Sequence, residues 1–190
     1  LIDAGTYLYH AGHAWRDHFR GTVAHNTLTI GGENSSEISG PFNWARKAET
    51  RVLRLKDSPD DWLVSAEHDG YQASHGIAHV RSVERAGPGL YRITDTLRGH
   101  SAPQRVEIGF LVSPAFEVEA AGTGFRIRDE RGVVLTIRHT GGLAGWLETG
   151  RSGPERGWHS PSFAPRIVFA GELSEGREAI FDLEIHEVGQ

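Results

Sequence analysis

The sequence contains no cysteine and no methionine, and none of its apolar runs has the length of a membrane helix. Without cysteine the chain has no disulfide framework and no thiolate metal site, an absence that is compatible with either redox compartment. A membrane helix needs about 18 consecutive apolar residues, so no membrane partner is expected. The formal net charge is −5, which argues against a nucleic-acid partner because such proteins usually carry a basic surface.

The N-terminus lacks two further features. Residues 1–5 show neither the basic region nor the apolar core of a signal peptide. They also include no initiator methionine. We therefore expect the chain to be a processed or excised piece of a longer protein, whose signal would have been lost upstream.

Helical periodicity is scarce, and most of the chain alternates with the two-residue period of β-strands. Residues 104–112 place Val106, Ile108, Phe110 and Val112 on one face of a strand. Other β-rich runs are expected at 26–30, 49–55, 62–68, 77–85, 90–97, 166–170 and 181–186, and on both sides of the turn 129–132. The segment 11–19 comes closest to a helix, but we interpret it as a loop.

Turn residues recur at intervals of about 8–12 residues, as in sandwiches and barrels. The sequence has 24 glycines and eight prolines, with turn clusters at 31–32, 58–61, 86–89 and 140–142. No fixed-period repeat or linker interrupts the pattern. The sequence therefore predicts an all-β fold with little or no helix, a two-layer antiparallel β-sandwich forming one domain over residues 1–190.

Four motifs carry a resemblance to a known family. The first runs from Asp3-Ala-Gly-Thr-Tyr-Leu-Tyr9 to Phe19-Arg-Gly-Thr-Val-Ala-His-Asn-Thr27. The others are Ala66-Glu-His-Asp-Gly-Tyr71, Gly76-Ile-Ala-His-Val-Arg81 and Gly157-Trp-His-Ser-Pro-Ser-Phe163. In order and spacing they resemble the C-terminal β-domain of the heparinase II/III family of polysaccharide lyases. Each motif alone is weak, but the four in sequence span nearly the whole chain.

The resemblance implies a two-domain lyase, in which an α/α toroid precedes the sandwich and completes the active site. Such enzymes cleave uronic-acid-containing polysaccharides, heparin-like, heparan-like or otherwise acidic, by β-elimination. A base removes the proton at C5 of the uronate and an acid protonates the departing glycosidic oxygen. The resemblance places the catalytic tyrosine in the helical domain and a catalytic histidine, here His25, in the sandwich. The isolated chain is then expected to be nearly silent, and the parent protein to be periplasmic or secreted.

The N-terminal region also contains the candidate substrate-binding residues Arg20, Tyr7, Trp15 and Asn26. Imidazole titrates near neutrality and suits the proton transfer assigned to His25. Arginine pairs with carboxylates and sulfates, and tryptophan stacks on apolar surfaces such as a sugar ring. Structural alternatives stay open, because the histidine can cap a strand, the arginine can form an internal ion pair, and the aromatic rings can belong to the core.

Some members of the resembling family hold a structural divalent metal through His and Asp ligands. The resemblance therefore implies His25 and His79 as candidate ligands for zinc or calcium. Family members with the metal carry an acidic residue between these two histidine motifs. Here the corresponding segment, 40–44, offers only Asn43, which argues against tight zinc binding.

Two other functions are compatible with the sequence. A non-catalytic carbohydrate-binding or structural module needs the same sandwich and exposed aromatic residues, but it does not need His25. A cupin-like metalloenzyme would use His25, His68 and His79, and it predicts that these three side chains converge within metal-ligand distance.

Overall fold

The computed structural model describes residues 1–7, 13–99, 102–152 and 162–187, and strands dominate them. The strands are β1 (Leu28–Ile30), β2 (Glu37–Ile38), β3 (Trp44–Arg46), β4 (Thr50–Lys56), β5 (Leu63–Tyr71), β6 (Ile77–Gly87), β7 (Leu90–Gly99), β8 (Gln104–Leu111), β9 (Glu117–Ala121), β10 (Gly124–Asp129), β11 (Gly132–Thr140), β12 (Ala144–Ser152), β13 (Ser162–Leu173) and β14 (Glu178–Ile185). The helices are α1 (His13–Arg20), α2 (Gln72–His75) and a 3-10 turn at Thr22–Ala24. In the described part of the chain, no helix has the length and apolar character needed to cross a membrane.

The strands form two main antiparallel sheets and a small hairpin. The smaller sheet has the order β1-β8-β13-β12, and the larger one has the order β4-β5-β6-β7-β14-β11-β10-β9. Strands β2 and β3 pair separately. Because the inner faces of the two main sheets bury each other, the two-layer antiparallel β-sandwich predicted from the sequence is confirmed.

Alternation of apolar residues explains why the two layers close on each other. In β8, Val106, Ile108 and Phe110 are at most 1% exposed. Phe110 packs edge-on against Phe181 of the larger sheet, with ring centroids 5.0 Å apart. Removing each such side chain from water stabilises the fold by roughly 1.5–3 kcal/mol. The inward-facing stripe predicted at 104–112 is therefore the centre of the core.

The hairpin predicted around the turn 129–132 is also present. Asp129 of β10 lies opposite Gly132 of β11 in the register of the two strands. The Asp129 carboxylate accepts a hydrogen bond from the Arg131 backbone N–H at 2.8 Å, and Gly132 has a φ of 137°. Glycine adopts such a positive φ without a steric cost, which is why this turn closes tightly.

The prediction of a loop over 11–19 was wrong, because α1 begins at His13 and ends at Arg20. The helix has eight residues, too few for an apolar period to repeat over three turns. Its Phe19 side chain is buried in a second apolar cluster with Tyr7 and with Leu111 and Ala164 of the smaller sheet. The Arg16 side chain is also buried and donates to the Pro41 carbonyl at 2.6 Å. Tertiary contacts of these side chains therefore stabilise a helix that the sequence pattern does not reveal.

Candidate functional site

His25 lies just after the 3-10 turn and before β1, where its backbone N–H caps the turn by donating to the Thr22 carbonyl. Its Nδ1 atom is 2.7 Å from Oδ2 of Asp3. The imidazole is 37% exposed, and among the described residues its Nε2 atom has no hydrogen-bond partner. His25 and Asp3 thus form a carboxylate–imidazole pair at the surface.

The charge of Asp3 decides which nitrogen of His25 carries the proton. Partial burial raises the pKa of Asp3, but hydrogen bonds from His25 and from the Gly5 backbone N–H outweigh burial and leave this pKa below its usual value. An ionised carboxylate can only accept, so Nδ1 of neutral His25 donates to it. The lone pair of the ring is then on Nε2, the nitrogen that is free to take a proton.

Asn26 holds the segment that carries Asp3. Its side-chain amide donates to the Ile2 carbonyl at 2.9 Å, and its Oδ1 atom accepts from the Leu111 backbone N–H at 2.7 Å. The Ile2 backbone N–H in turn donates to the Leu111 carbonyl at 2.9 Å. One amide side chain therefore fastens the N-terminal segment to the end of β8, beside His25.

A buried ion pair supports Asn26 from the larger sheet. Arg81 of β6 donates to the Asn26 carbonyl and to both carboxylate oxygens of Asp95 in β7, at 2.7 Å each. Asp95 is completely buried. Burial raises the pKa of this carboxyl. The positive charge of Arg81 and the hydrogen bond from His79 outweigh burial and lower the pKa to about 2. The ionised pair bridges the two sheets beneath the turn that carries His25.

Two histidines extend this network, and their hydrogen bonds determine which nitrogen of each ring carries the proton. His79 Nε2 donates to Asp95 at 2.7 Å, so its Nδ1 accepts from His68 Nε2 at 3.0 Å. His68 Nδ1 accepts from the Gly70 backbone N–H at 3.1 Å. Burial and then the nearby His79 lower the pKa of His68 to about 4. The His68 ring is therefore neutral at neutral pH, and all four nitrogens of the two rings are bonded within the chain.

A comparison with known families decides what this sandwich is. The model of the heparinase II/III-like C-terminal family matches residues 1–180. The chain belongs to the heparinase II/III-like family. It is matched as that family's C-terminal domain, and the resemblance inferred from its four motifs is confirmed.

Solved heparinases share the fold of this family member. A structure titled heparinase III-BT4657 gene product is 19% identical, with a TM-score of 0.78, and the match covers 99% of this chain and 28% of that chain. A heparinase III crystal structure is 21% identical with a TM-score of 0.74, over 99% and 28%. The heparan sulfate lyase HepC from Pedobacter heparinus is 16% identical with a TM-score of 0.74, over 99% and 29%. Among curated proteins, none matches the sequence.

These structural likenesses concern the fold alone. The chain spans less than a third of the length of the solved heparinases that it matches. The part of the fourth motif at 157–161, like Leu8 and Tyr9 of the first, lies outside the residues that the structure describes. The functional argument therefore depends on the described side chains of this heparinase-like domain.

The metal implied by the family resemblance does not fit the residues that are present. The described ranges contain no group of three or more His, Cys, Asp or Glu side chains able to hold a metal ion. Both ring nitrogens of His79 are bonded to protein atoms, and Arg81 covers both oxygens of Asp95. A divalent cation here would face a guanidinium that already neutralises the carboxylate. The convergence of His25, His68 and His79 that a cupin-like metalloenzyme requires is likewise absent from the described residues.

Three of the four predicted substrate-binding residues have structural partners. Tyr7 is 4% exposed and stacks on Phe19. Arg20 donates to the backbone carbonyls of Gly40 and Asn43, at 2.5 and 2.9 Å. Asn26 uses its amide on the backbone, as described above. A direct substrate contact by these three side chains stays a prediction that the geometry does not favour.

Trp15 differs from them, because its ring is 37% exposed on α1. It makes an edge contact with His18, whose ring centroid is 5.6 Å away. Burial lowers the pKa of His18, and the positive charges of Arg166, Arg151 and His25 lower it further. His18 is therefore neutral near pH 7 and lies among cations.

An open cleft of about 890 Å³ lies on another side of α1. Asp17, Glu33 and Glu37 line it, together with His18 and Arg46. Three carboxylates against one arginine do not favour an acidic ligand in this cleft. The cation beside Trp15 is Arg151, whose guanidinium carbon is 5.7 Å from the centroid of the Trp15 ring.

The sequence did not assign a role to Asp3, Arg81, Asp95 or Arg151. Asp3 and Arg81 belong to quoted motifs, but nothing in those motifs indicates that position 3 meets position 25 or that position 81 reaches position 26. Asp95 offers one retrospective signal, since it is an acid on the inward side of a strand whose neighbours are apolar. An inward carboxylate in such a strand requires a cationic partner.

Proposed function

We propose that this heparinase II/III-like domain is the sandwich part of a lyase that cleaves acidic, uronate-containing polysaccharides by β-elimination, with His25 as the residue that transfers a proton. The observation that carries the proposal is the 2.7 Å contact between Asp3 and Nδ1 of His25, with Nε2 left unpartnered among the described residues. A buried or doubly bonded imidazole, such as that of His79, has no nitrogen left for a substrate.

The tautomer of His25 supports the role in the reaction that we propose for it. Nε2 carries a lone pair and takes the proton from C5 of the uronate, while the Asp3 carboxylate stabilises the imidazolium that forms. The electrons of the C5–H bond become the C4–C5 double bond, and the C4–O bond breaks. The departing glycosidic oxygen takes a proton from an acid supplied outside this chain.

The tyrosines near the site support an external acid. Tyr7 and Tyr71 are at most 4% exposed. Burial raises the pKa of Tyr71 to about 12, and its hydroxyl donates toward the carbonyls of Leu28 and Glu33. Neither phenol is accessible to a polysaccharide. We therefore assign the acid, and the group that neutralises the uronate carboxylate, to a helical α/α domain of the same parent protein.

The family and its solved relatives support the substrate class that we propose. Those solved structures are of heparinase III and of a heparan sulfate lyase, and heparan sulfate is a sulfated polysaccharide. Arg151, whose guanidinium lies against the Trp15 ring beside His18, is complementary to the anionic groups of such a polymer. A heparin-like or heparan-like chain, or another acidic polysaccharide, is the substrate that we propose.

The decisive experiment compares wild type with His25→Ala in the full-length parent protein. Cleavage on a panel of acidic polysaccharides is followed by the absorbance of the unsaturated uronate product. We expect kcat to fall by about 10²–10⁴-fold, the usual contribution of a general base. The matched control is His75→Ala, because His75 also pairs with a carboxylate, Glu33 at 3.2 Å, and should leave kcat close to wild type.

Each result of that comparison decides between functions. Full activity of His25→Ala on a polysaccharide that the wild type cleaves removes His25 from the chemistry but keeps the lyase. The alternative function, a non-catalytic carbohydrate-binding module, is favoured by the exposed rings of Trp15 and Phe163. It predicts that the wild type binds the polysaccharide and releases no unsaturated product.

A further inference from the structure

Arg151 is a cation held by aromatic rings rather than by an acid. It lies near the end of β12, opposite Phe163 of β13 in the register of the sheet. Its guanidinium carbon is 3.7 Å from the centroid of the Phe163 ring and 5.7 Å from that of Trp15. Among the described residues, Arg151 has no ion pair and no hydrogen bond from its side chain.

The neighbouring arginine shows the contrast. Arg166 donates to Glu107 at 2.8 Å and to Glu148 at 2.5 Å, and its side chain is 11% exposed. Its charge is neutralised within the sheet, so it serves to join β8, β12 and β13. Arg151 lies near the end of the same strand pair and lacks such acids in the described part of the chain, so its five N–H donors stay available.

The aromatic contacts also restrict the guanidinium. A cation over a ring face is attracted by the ring quadrupole, and the planar fork of arginine stacks there while its edges still donate. An ordered donor loses less conformational entropy when it binds a ligand. Arg151 is therefore prepared for an anion that approaches along the edge of its plane.

The position of Arg151 connects it to His25. Trp15 contacts both Arg151 and His18. The charges of Arg166, Arg151 and His25 all act on His18 and lower its pKa after burial. Among the described residues of this surface, Arg151 is thus a cation without a paired acid, whereas the nearby acids Asp3 and Asp17 are paired with His25 and Arg20.

We propose that Arg151 is a substrate-binding residue that takes a carboxylate or sulfate of an acidic sugar in its guanidinium fork, at a subsite formed with Trp15 and Phe163. Trp15 and Phe163, 37% and 64% exposed, offer apolar ring faces to the same sugar. The proposal rests on the proposed function for its substrate class. It adds a residue that determines specificity by contacting the sugar and that takes no part in the proton transfer.

The test uses the full-length parent protein and equilibrium binding, with all variants made in a His25→Ala background so that the polysaccharide stays intact. Arg151→Met keeps an apolar stem against Phe163 but removes the fork, and Arg177→Met removes an equal charge from the exposed β13–β14 turn. The probe is heparan sulfate. We expect Arg151→Met to raise Kd about tenfold or more, the usual effect of losing a charge-assisted contact, and Arg177→Met to leave Kd within about twofold. The salt dependence of binding should become shallower for Arg151→Met only.

Two modified probes identify the anionic group. If Arg151 takes a carboxylate, the difference between the variants disappears on carboxyl-reduced heparan sulfate and persists on the desulfated polymer. If it takes a sulfate, the pattern is reversed. Arg151→Lys should recover only part of the affinity, because an ammonium replaces the bidentate fork by a point charge.

Equal Kd values for Arg151→Met and Arg177→Met on all probes would overturn the proposal, provided that both variants unfold at the temperature of the parent background. Failure of the proposed function gives a different result, because wild type with an intact His25 would then release no unsaturated product. A tenfold weaker Kd for Arg151→Met in that case establishes the anionic-sugar subsite and removes the lyase chemistry.

Discussion

At the residue scale, the chemistry of His25 depends on a carboxylate 22 positions earlier in the chain. Asp3 keeps the lone pair on the exposed nitrogen and provides a counter-charge for the imidazolium. His79 has a similar contact with Asp95, but its second nitrogen accepts from His68. The same carboxylate–imidazole unit therefore leaves one ring nitrogen without a partner among the described residues at His25 and none at His79.

We expect Asp3→Asn to lower kcat of the full-length protein by about 10–100-fold. A neutral amide cannot stabilise the imidazolium, and its N–H₂ group allows the tautomer with the proton on Nε2. Steady-state kinetics at neutral pH measure the effect. Asp129→Asn is the matched control, because Asp129 pairs with Arg131 in the β10–β11 turn. A kcat for Asp3→Asn equal to that of Asp129→Asn would remove Asp3 from the reaction.

At the scale of the elements, strands β6 and β7 carry a charge pair into the interior of the sandwich. Asp95 is 0% exposed and Arg81 is 20% exposed. The next strand pair, β7 and β14, carries a similar contact on more exposed side chains, Arg92 to Asp182 at 2.7 Å. Breaking a buried pair leaves an uncompensated buried charge, whereas an exposed pair contributes little.

Arg81→Met should therefore lower the free energy of unfolding by about 3–5 kcal/mol, and Arg92→Met by less than about 1 kcal/mol. Urea denaturation of the two variants at neutral pH checks the difference. The Arg81 variant should also lose the hydrogen bond to the Asn26 carbonyl that supports the His25 turn. Similar losses in the two variants would mean that water reaches Asp95.

At the scale of the whole molecule, the buried network makes the stability of the sandwich depend on pH. His68 titrates near pH 4 in the folded chain and near its ordinary 6.5 when unfolded. Below pH 6.5 the unfolded state binds the extra proton, so stability is present above that pH and falls until about pH 4. Asp95, with a folded pKa of about 2 against 3.8, adds a further loss below about pH 4.

We expect His68→Gln to flatten the loss of stability between pH 6.5 and 4. Glutamine does not titrate, and its amide can still accept from Gly70 and donate to His79. The loss in the free energy of unfolding that disappears between pH 6.5 and 4 should be about 1–2 kcal/mol, after allowance for the partial exposure of His68. Urea midpoints measured across this range provide the check, with His75→Gln as the control. An unchanged slope would place the acid sensitivity outside this network.

The β-sandwich could be predicted from local sequence patterns. Alternation at 104–112 predicted β8 and its buried face, and the turn residues at 129–132 predicted the β10–β11 hairpin. The period-two pattern works because each strand buries one face. The same rule did not reveal α1, whose two turns bury Arg16 and Phe19, or the short pairing of strands β2 and β3.

The candidate site could be predicted from the sequence only in part. The sequence motifs indicated His25 as a candidate catalytic residue. The family comparison supports the class of protein, and the catalytic role of His25 stays a prediction. The partners of His25 were decided by the tertiary structure, because hydrogen bonds from Ile2 to Leu111 and from Asn26 to Ile2 hold the N-terminal segment beside the turn that carries it. The periodicity of apolar residues indicates which face of a strand is buried, and it depends only on residues that are close in sequence. The meeting of Asp3 with His25, of Arg81 with Asn26, and of Arg151 with Trp15 depends on long-range packing, which no local pattern encodes.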